Sequence, residues 1–323
     1  MDTKEYIVPD DLDGARLDKA IIRLAGESGA SGGPISRAKV KRAVEVGAVR
    51  VNGRRSPKGA TVAKGDKLTL DVSQVEDAES PAVPEPDAKL TIRFESDAVL
   101  VVDKPAGQPS APLRPNETGT LANALVGHFP ELAGVGYSPR EPGLLHRLDT
   151  DTSGLVVVAR TAAAFDALKA ALKEERLAKS YLLVCTEDGL PDEGTIEFPL
   201  TSHPKDQRRV YACVHPRDVI RYAPRPATTH YRTERRSGPW ALVRVDVARA
   251  LRHQIRAHFA AIDHPLAGDV LYGGAEIRAL GRHALHASTI ALKGGDGLPS
   301  FDVTSPLPEA MAALVEDRGE GDA

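Results

Sequence analysis

Short apolar runs recur along the last two thirds of this 323-residue chain, and they restrict its fold more than any other feature. Five of the runs are TIRFE, AVLVVDK, GLVVVAR, YLLVCT and LVRVDVA, which begin at residues 91, 98, 154, 181 and 242. Apolar runs of this length are typical of strands, and only a few stretches between them have helical spacing. The pattern predicts an α+β domain over residues 89–310, built on a mixed, largely antiparallel sheet flanked by helices.

The clearest helix of this domain is predicted for residues 161–177. Thr161 can cap its first turn, and Phe165, Leu168 and Leu172 fall on one face. This apolar face is expected to pack on the sheet.

The first 72 residues have a different pattern. RLDKAIIRLA at 16–25 and ISRAKVKRAVEVG at 35–47 have the spacing of two amphipathic helices, the second with Ser36 as cap and Gly47 as stop. Asn52 and Gly53 indicate a hairpin, and GDKLTLDV alternates as a strand. A small α/β module over residues 1–72 is therefore predicted.

Charge is unevenly distributed between these parts. The chain carries a net charge of −3, yet residues 11–71 contain 13 Lys and Arg against 7 Asp and Glu. Such a segment either faces a nucleic acid or forms a solvated basic helix face.

Two segments show no periodicity. SQVEDAESPAVPEPDA, residues 73–88, is rich in Pro, Ala and carboxylates and is predicted to be an extended linker, across which the two domains move independently. Residues 311–323 end in EDRGEGDA and are predicted to form an acidic tail.

Cysteine usage and hydropathy bear on the compartment. Cys185 and Cys213 form no CxxC pair, which favours a reducing compartment, and a cytoplasmic location is expected. No run approaches the roughly 20 apolar residues of a membrane helix, so no membrane partner is expected.

Several histidines raise the question of a metal site. His146, His253, His258, His264 and His286 are the candidates. The five-residue spacing within HQIRAH places its two histidines on different helix faces, and the arginine between them would repel a cation. No metal site is predicted.

The window HRLDTDTSGL at residues 146–155 contains the carboxylate of most chemical interest. Asp149 lies between a basic pair and a Thr-Ser-Gly turn. A carboxylate held in this way can act as a nucleophile. The same residues are also ordinary turn chemistry, so the window alone leaves both interpretations open.

Four further blocks accompany this window: LVVDKPAG at 100–107, KSYLLVCT at 179–186, HQIRAH at 253–258 and HPLAGDVLYG at 264–273. Lys104, Pro105 and Gly107 lack the Walker spacing, which favours a structural turn bordering a cleft over a phosphate cradle. In their order and their residues, the blocks resemble the motifs of the RluA family of pseudouridine synthases, the large-ribosomal-subunit type, over about residues 90 to 310. The resemblance implies the pseudouridine synthase catalytic fold, with RNA entering a cleft across the sheet.

The implied reaction detaches uracil from ribose and reattaches it through carbon. A carboxylate suits this task because it can attack or electrostatically support the anomeric carbon, as in retaining glycosidases. The detached base must be held while it rotates, with water kept out. None of these steps needs a metal or an organic cofactor.

The resemblance also implies roles for individual residues. Asp149 matches the nucleophile, Tyr181 the tyrosine positioned on the base, and Arg256 the arginine that pairs with the aspartate. Arg147 matches the residue that fills the gap left by the flipped uridine. Further residues expected to contact the base or the RNA are His146, Thr152 and Gln254. On its residues alone, the favoured interpretation of Tyr181 is a core tyrosine at a strand start.

The amino-terminal module resembles the small RNA-binding domain first described in a small-subunit ribosomal protein, in which RLD, SR, G-x-V-x-VNG and GD recur in this order. The resemblance implies that its cations face RNA phosphates. These cations are Arg37, Lys39, Lys41, Arg42, Arg50, Arg54 and Arg55. The module favours ribosomal RNA over transfer RNA as the target.

The chain departs from the family pattern at two places. Ala250, Leu251 and Arg252 stand where the family has Gly-Arg-Thr or Gly-Arg-Lys, and Ala287 follows His286 where a proline is usual. Two hypotheses follow: an active RNA pseudouridine synthase, or a catalytically weakened RNA-binding or ribosome-assembly factor on the same scaffold. A monomer is expected in either case.

Overall fold

A computed structural model describes residues 3–27, 40, 43–44, 47–56, 59–71, 80–247 and 250–316. The chain divides into two compact units. Unit 1 comprises residues 1–82 with 113–117 and 138–140, and unit 2 comprises 83–112, 118–137 and 141–323. Within the described residues, no helix is long and apolar enough to cross a membrane.

Unit 1 contains β1 (Thr3–Ile7), α1 (Leu17–Glu27), β2 (Val49–Val51), β3 (Arg54–Arg55) and β4 (Lys67–Asp71). The four strands form an antiparallel sheet in the order β1-β4-β2-β3. Leu17 and Ile21 of α1 are buried with Leu68 and Leu70 of β4. The amphipathic pattern of α1 therefore supplies the core of this unit.

The hairpin predicted at Asn52 and Gly53 is confirmed. Both residues have positive φ, 50° and 76°, as a two-residue turn between right-twisted strands requires. The Asn52 side chain donates to Asp66 at 2.8 Å and accepts from the Lys67 amide at 2.9 Å, which ties the turn to β4.

The predicted helix over residues 35–47 falls largely outside the described residues, including its cap Ser36. Val40, Ala43 and Val44 are described and are buried in the core of unit 1. Their burial is in keeping with the amphipathic spacing of residues 35–47.

Unit 2 is built on a nine-stranded sheet. Its strands are β5 (Ile92–Glu95), β6 (Val99–Lys104), β7 (Ser153–Ala159), β8 (Leu177–Thr186), β9 (Glu193–Ile196), β12 (Thr229–Ser237), β13 (Trp240–Asp246), β14 (Leu285–Leu292) and β15 (Phe301–Thr304). The order is β5-β6-β7-β14-β8-β13-β12-β9, with β15 also paired to β14. Among the described strands, β7 and β14 form the one parallel pair. The predicted α+β fold with a mixed, largely antiparallel sheet is confirmed.

Among the described residues, unit 2 also contains five α-helices, two 3-10 helices of three residues each, and a separate hairpin. The α-helices are α2 (Leu121–His128), α3 (Ala162–Lys173), α4 (Pro216–Tyr222), α5 (Gln254–Ala261) and α6 (Glu309–Ala312). The hairpin pairs β10 (Leu200–Ser202) with β11 (Val210–Ala212).

The helix predicted for residues 161–177 is α3, and its end was placed too late. Thr161 caps it as expected, since its hydroxyl accepts from the Ala164 amide at 3.1 Å. Glu175 has φ +57°, which is incompatible with a continuing helix, so Leu177 begins strand β8 instead. Phe165 and Leu168 are buried against the sheet, as predicted.

The predicted linker is described from residue 80 onward, and residues 80–88 contain no helix or strand. They are nevertheless hydrogen-bonded. The Ala82 amide donates to the Pro139 carbonyl within unit 1, and the Asn123 side chain donates to the Val83 carbonyl within unit 2. This part of the segment is therefore not a free tether.

Candidate active site

Asp149 lies in the loop that leads into β7, and its side chain is 25% exposed. The Thr152 amide donates to the Asp149 carbonyl at 3.0 Å, so the Thr-Ser-Gly residues do form a turn. Both interpretations of the window thus describe the same atoms: the turn exists, and it presents a carboxylate to a cleft.

Arg256, in α5, is the charge partner of this carboxylate. Its Nη1 donates to Asp149 Oδ2 at 2.9 Å, and its Nε and Nη2 donate to the two Asp269 oxygens at 2.7 and 2.8 Å. Burial alone would lower the pKa of Arg256, but the hydrogen bonds and charge of Asp269, together with Asp149, raise it. Asp269 is fully buried and holds the Nε and Nη2 atoms of the guanidinium, which leaves Nη1 for Asp149.

His253 and Tyr272 complete this side of the site. His253 Nε2 lies 3.6 Å from Asp149 Oδ2, and its Nδ1 lies 3.0 Å from the Tyr272 hydroxyl. The Tyr272 ring packs on the Arg256 guanidinium, 5.0 Å from its carbon to the ring centre. Burial lowers the pKa of His253, and the charge of Asp149 offsets only part of this shift. The imidazole is therefore neutral near pH 7.

Tyr181, in β8, lines the same cleft and is 5% exposed. Its hydroxyl has no hydrogen bond to another described residue. Burial, and secondly the charge of Asp149, raise the pKa of Tyr181, so the phenol stays protonated at neutral pH. A buried phenol next to a carboxylate can hold a planar base and donate one hydrogen bond to it.

The backbone around Asp149 is fixed residue by residue. The Ser110 hydroxyl donates to the Leu148 carbonyl at 2.8 Å, and the Lys104 ammonium donates to the Thr150 carbonyl at 3.0 Å. The Arg282 guanidinium donates to the Asp151 carbonyl at 3.1 Å. Each carbonyl adjoining Asp149 along the chain therefore has a side-chain donor.

Lys104 is wholly buried and also donates to the carbonyls of Pro105 and Gln108. Burial lowers the pKa of Lys104 to about 8, with Asp151 and Asp149 opposing the shift. The turn at residues 104–107 thus supports the loop that contains Asp149, in line with the structural turn expected there.

At Gly154, just after the Asp149 loop, strands β7 and β14 approach each other closely. Gly154 has φ +114°, and a side-chain carbon there would overlap the backbone of Ala287 in β14. The neighbouring polar residues pair across the same junction: Thr152 with His283 at 2.7 Å, and Ser153 with His286 at 2.9 Å. Burial, followed by the charge of Arg256, lowers the pKa of His283 to about 2, so this imidazole stays neutral.

Arg147 lies at the mouth of the cleft. Its side chain is 62% exposed and its Nη1 donates to Glu141 at 2.7 Å. It is accessible to a bound nucleic acid, as its expected role requires.

The other three residues expected to contact the base or the RNA are engaged with protein atoms. His146 Nε2 accepts from the Val157 amide at 3.2 Å, and burial lowers the pKa of His146. The Gln254 amide donates to Thr228 and Thr229 and accepts from the Leu251 amide at 2.9 Å. Thr152 is bonded to His283, so all three support the walls of the cleft.

The cleft measures about 370 Å³, including its open mouth. It lies wholly within unit 2. Its lining residues are Arg147, Leu148, Asp149, Thr152, Tyr181, Ala250, Leu251, His253, Gln254, Ile255, Arg256 and Leu285. The structure thus brings together nominated residues from three separate blocks, at 146–155, 179–186 and 253–258.

The unusual turn at residues 250–252 does not displace Arg256. Leu251 packs in an apolar cluster with Tyr272, and the Arg252 guanidinium donates to the carbonyls of Gln207 and Arg208. His253 adopts φ +52° and starts α5 without a glycine before it. Packing of Leu251 and the hydrogen bonds of Arg252 therefore hold this turn, which contains no glycine.

Of the module cations, Arg37, Lys39, Lys41 and Arg42 lie outside the described residues. Arg54 and Arg55 form β3 and are exposed, as is Arg50 in β2. These three are accessible on unit 1 for an anionic ligand.

Sequence reasoning missed three residues of the site: Asp269, Tyr272 and Arg282. The first two were within the block HPLAGDVLYG, which was used only for the resemblance. A buried Asp and Tyr close to an arginine motif are the expected anchors of a guanidinium, and that signal was present in the sequence. Arg282 gave no sequence signal, because it acts through backbone carbonyls: those of its near neighbours His283 and Leu285, and that of Asp151, 131 positions away in the chain.

Chemically, the site offers a carboxylate with one fixed cationic partner, a neutral imidazole and a protonated phenol, all facing one cleft. Such a set suits attack on, or charge stabilisation of, an electron-poor carbon next to a planar base. Within the described residues, no group of three or more His, Cys, Asp or Glu side chains is arranged to hold a metal ion.

Comparisons with known proteins agree with this chemistry. Residues 98–261 match the family model described as RNA pseudouridylate synthase. The chain is 34% identical to the ribosomal large subunit pseudouridine synthase D of Xanthomonas campestris over 331 residues, covering 97% of this chain and 93% of that protein. It is 33% identical over 282 residues to an uncharacterized RNA pseudouridine synthase of Bacillus subtilis, covering 87% of this chain and 89% of that protein.

Two solved structures share the fold. Human RNA pseudouridylate synthase domain containing 1 superposes with a TM-score of 0.55 and 22% identity, covering 70% of this chain and 88% of that one. Human RNA pseudouridylate synthase domain containing 4 gives a TM-score of 0.52 and 21% identity, covering 69% and 90%.

Proposed function

The chain belongs to the RNA pseudouridylate synthase family, and we propose that it converts specific uridines of ribosomal RNA to pseudouridine with Asp149 as the nucleophile. It is an RNA pseudouridine synthase, an enzyme of the isomerase class. The observation that carries the proposal is the 2.9 Å contact between Arg256 and Asp149 in a cleft that Tyr181 also lines.

The reaction is an isomerisation in which atoms balance without a co-reactant. The bond from the ribose C1′ to N1 of uracil breaks, a bond from C1′ to C5 forms, the C5 proton leaves and N1 gains a proton. Asp149 initiates the reaction, by attack on the base or by a ribose-centred path through a glycal. Any ester bond that it forms to the nucleotide breaks before pseudouridine leaves, which regenerates the carboxylate.

The neighbours of Asp149 divide the remaining tasks. Arg256 directs the carboxylate and balances its charge, and Asp269 fixes Arg256 in turn. Tyr181 stacks on the detached base and keeps water from one face of it. Arg147, exposed at the mouth, enters the helix of the RNA where the target uridine flips out, because its planar guanidinium can stack on the adjacent bases.

Ribosomal RNA is the proposed target for two reasons. The relative from Xanthomonas campestris carries ribosomal large subunit in its name and matches nearly the whole chain. Unit 1 presents Arg50, Arg54 and Arg55 at its surface, which suits the phosphates of a structured RNA.

The proposal is tested on ribosomal RNA from a strain that lacks this protein. After incubation with the purified full chain, pseudouridines are mapped by carbodiimide modification and primer extension. We expect new stops at a small number of defined positions in large-subunit RNA. Conversion of transfer RNA alone would refute the ribosomal target, and no conversion of any RNA would support the alternative, a factor that binds RNA without modifying it.

A further inference from the structure

A basic arm, residues 203–225, extends from the hairpin of β10 and β11 and includes helix α4. It contains six cations: Lys205, Arg208, Arg209, Arg217, Arg221 and Arg225. Only two carboxylates, Asp206 and Asp218, accompany them, although the whole chain is slightly acidic. The excess of positive charge is therefore concentrated on one projection of unit 2.

Both carboxylates of the arm are already engaged. Asp206 accepts two hydrogen bonds from the Arg208 guanidinium, at 3.0 and 2.9 Å, and Asp218 accepts one from the Tyr211 hydroxyl at 2.7 Å. Among the described residues, the side chains of Lys205, Arg217 and Arg225 have no ion pair or hydrogen bond. These three cations are exposed and accessible to an external anion.

Helix α4 contributes nothing to the core. None of its residues is buried, and Ile220 is 86% exposed. An isolated seven-residue helix would not be stable in water, so it depends on its flanking contacts, which include a ring contact of Tyr222 with Tyr211. An exposed helix whose neighbouring cations have no partner among the described residues is suited to binding an external anion.

The arm is anchored to the residues that build the cleft. The Arg252 guanidinium donates to the carbonyls of Gln207 and Arg208, at 3.1 and 2.6 Å. The Tyr272 hydroxyl accepts from the Val210 amide at 2.7 Å and lies 3.0 Å from His253, which lines the cleft. One hydroxyl group therefore connects the arm to a neighbour of Asp149.

Arg209 supplies a further sign of a missing partner. Its guanidinium lies over the Tyr272 ring, 5.4 Å from the ring centre, next to the Arg256 contact on the same ring. Its Nε is buried and has no hydrogen-bond partner among the described residues. The Arg209 side chain as a whole is only partly buried, and a guanidinium is well suited to binding a phosphate oxygen.

We propose that the basic arm binds the sugar-phosphate backbone of the substrate RNA beside the target nucleotide. The inference rests on the proposed function in that RNA is taken as the ligand. RNA is favoured over a protein partner because cations outnumber carboxylates and the arm is joined to the cleft into which the substrate must enter. The arm thus adds a second set of backbone contacts, on unit 2 itself, to those of the amino-terminal module.

The test uses the full chain and an in vitro transcript of large-subunit ribosomal RNA. Two separate double variants remove exposed cations of the arm: Arg217→Gln with Arg221→Gln, and Lys205→Gln with Arg225→Gln. The control, Lys169→Gln with Lys173→Gln, removes the same charge from helix α3, whose lysines do not line the cleft. Circular dichroism melting checks that all variants fold.

Equilibrium binding is measured as a function of salt concentration. We expect each arm variant to bind the transcript more weakly and to lower the slope of log Kd against log salt by about two, one for each phosphate that the variant no longer neutralises. The control should keep the parent slope. Unchanged Kd and slope in both arm variants would overturn the inference. The exposed apolar residues of α4 would then favour a protein as the partner of the arm.

A second measurement separates this inference from the proposed function. Transcript labelled with tritium at C5 of uridine releases tritium on each turnover. If the parent releases no tritium but the arm variants still lose affinity, the proposed function fails and the arm inference stands. If the parent releases tritium but the arm variants match it in Kd and slope, the proposed function stands and the arm inference fails.

Discussion

At the scale of single residues, the site depends on how Arg256 divides its five donors. Two face Asp269 and one faces Asp149, so the position of the proposed nucleophile is set by a second carboxylate that does not line the cleft. A bidentate pair of this kind fixes the plane of the guanidinium, which a lysine could not do.

Asp269→Asn tests this arrangement. The amide offers one acceptor where the carboxylate offered two, and it leaves the buried guanidinium without its main countercharge. Breaking a buried pair costs about 3–5 kcal/mol, so the melting temperature should fall and turnover should fall with it. The control is Asp192→Asn, whose ion pair with Arg236 involves a carboxylate that is 91% exposed, and which should change little. An Asp269→Asn enzyme with parent kinetics would show that Arg256 needs no anchor.

Lys104 makes a prediction about pH. Its pKa is lowered to about 8 in the folded protein from 10.5, so between these values the unfolded chain binds a proton that the folded chain does not. The contribution of Lys104 to the free energy of unfolding therefore increases as pH rises from about 8 to 10.5. Comparing the melting temperatures of the parent and Lys104→Met across this range isolates the effect. The melting temperature of the parent should increase relative to that of the variant as pH rises. A difference in melting temperature that stays constant across this range would contradict the lowered pKa of Lys104.

At the scale of secondary-structure elements, the junction of β7 and β14 sets the floor of the site. It is the parallel pair of the described sheet, and it requires the two strands to approach closely at Gly154. The glycine of the motif is therefore explained by backbone packing rather than by chemistry.

Gly154→Ala should be strongly destabilising because the added carbon would overlap the Ala287 backbone. Gly189→Ala is a suitable control, since Gly189 also has positive φ but open space around it. The control should cost about 1–2 kcal/mol, the penalty for a left-handed alanine, and Gly154→Ala should cost clearly more. Equal unfolding free energies from urea titration would show that the close approach is relieved without cost.

The elements also show how far sequence reasoning reached. Apolar runs predicted the strands because alternation and run length are local properties, and Asn52-Gly53 predicted its hairpin from two residues. The end of α3 was misplaced because Ala, Leu, Glu and Arg continue to favour a helix past Lys173, and only the tertiary context places Leu177 in a strand. The sheet order, with β14 between β7 and β8, could not be read from the sequence since it joins residues more than 100 positions apart.

For the site, the resemblance nominated Asp149, Tyr181 and Arg256, and the structure places all three on one cleft. What could not be predicted was the support: Arg282 and Lys104 act through backbone carbonyls, which carry no side-chain signature. The roles of the individual residues stay predictions until variants are measured.

At the scale of the whole molecule, the chain consists of two units with different tasks in this account. Unit 2 contains the entire cleft, and unit 1 is expected to hold RNA. The division into a module over 1–72, a linker and a catalytic domain, the monomeric state and the cytoplasmic location remain predictions.

The RNA-binding role of unit 1 is tested by Arg54→Gln together with Arg55→Gln, both exposed on β3. We expect KM for long ribosomal RNA to rise while kcat is kept, because these arginines would bind the RNA equally well in the ground state and in the transition state. A short stem-loop substrate, too small to reach unit 1, should show no change. A fall in kcat without a change in KM would assign these arginines a different role.

The most direct test of the central claim replaces Asp149 by Asn, which keeps the shape of the side chain and removes the nucleophile. Tritium release from uridine-labelled ribosomal RNA should fall by at least about a thousandfold, with RNA affinity and melting temperature near those of the parent. A folded Asp149→Asn protein that releases tritium at the parent rate would contradict the account.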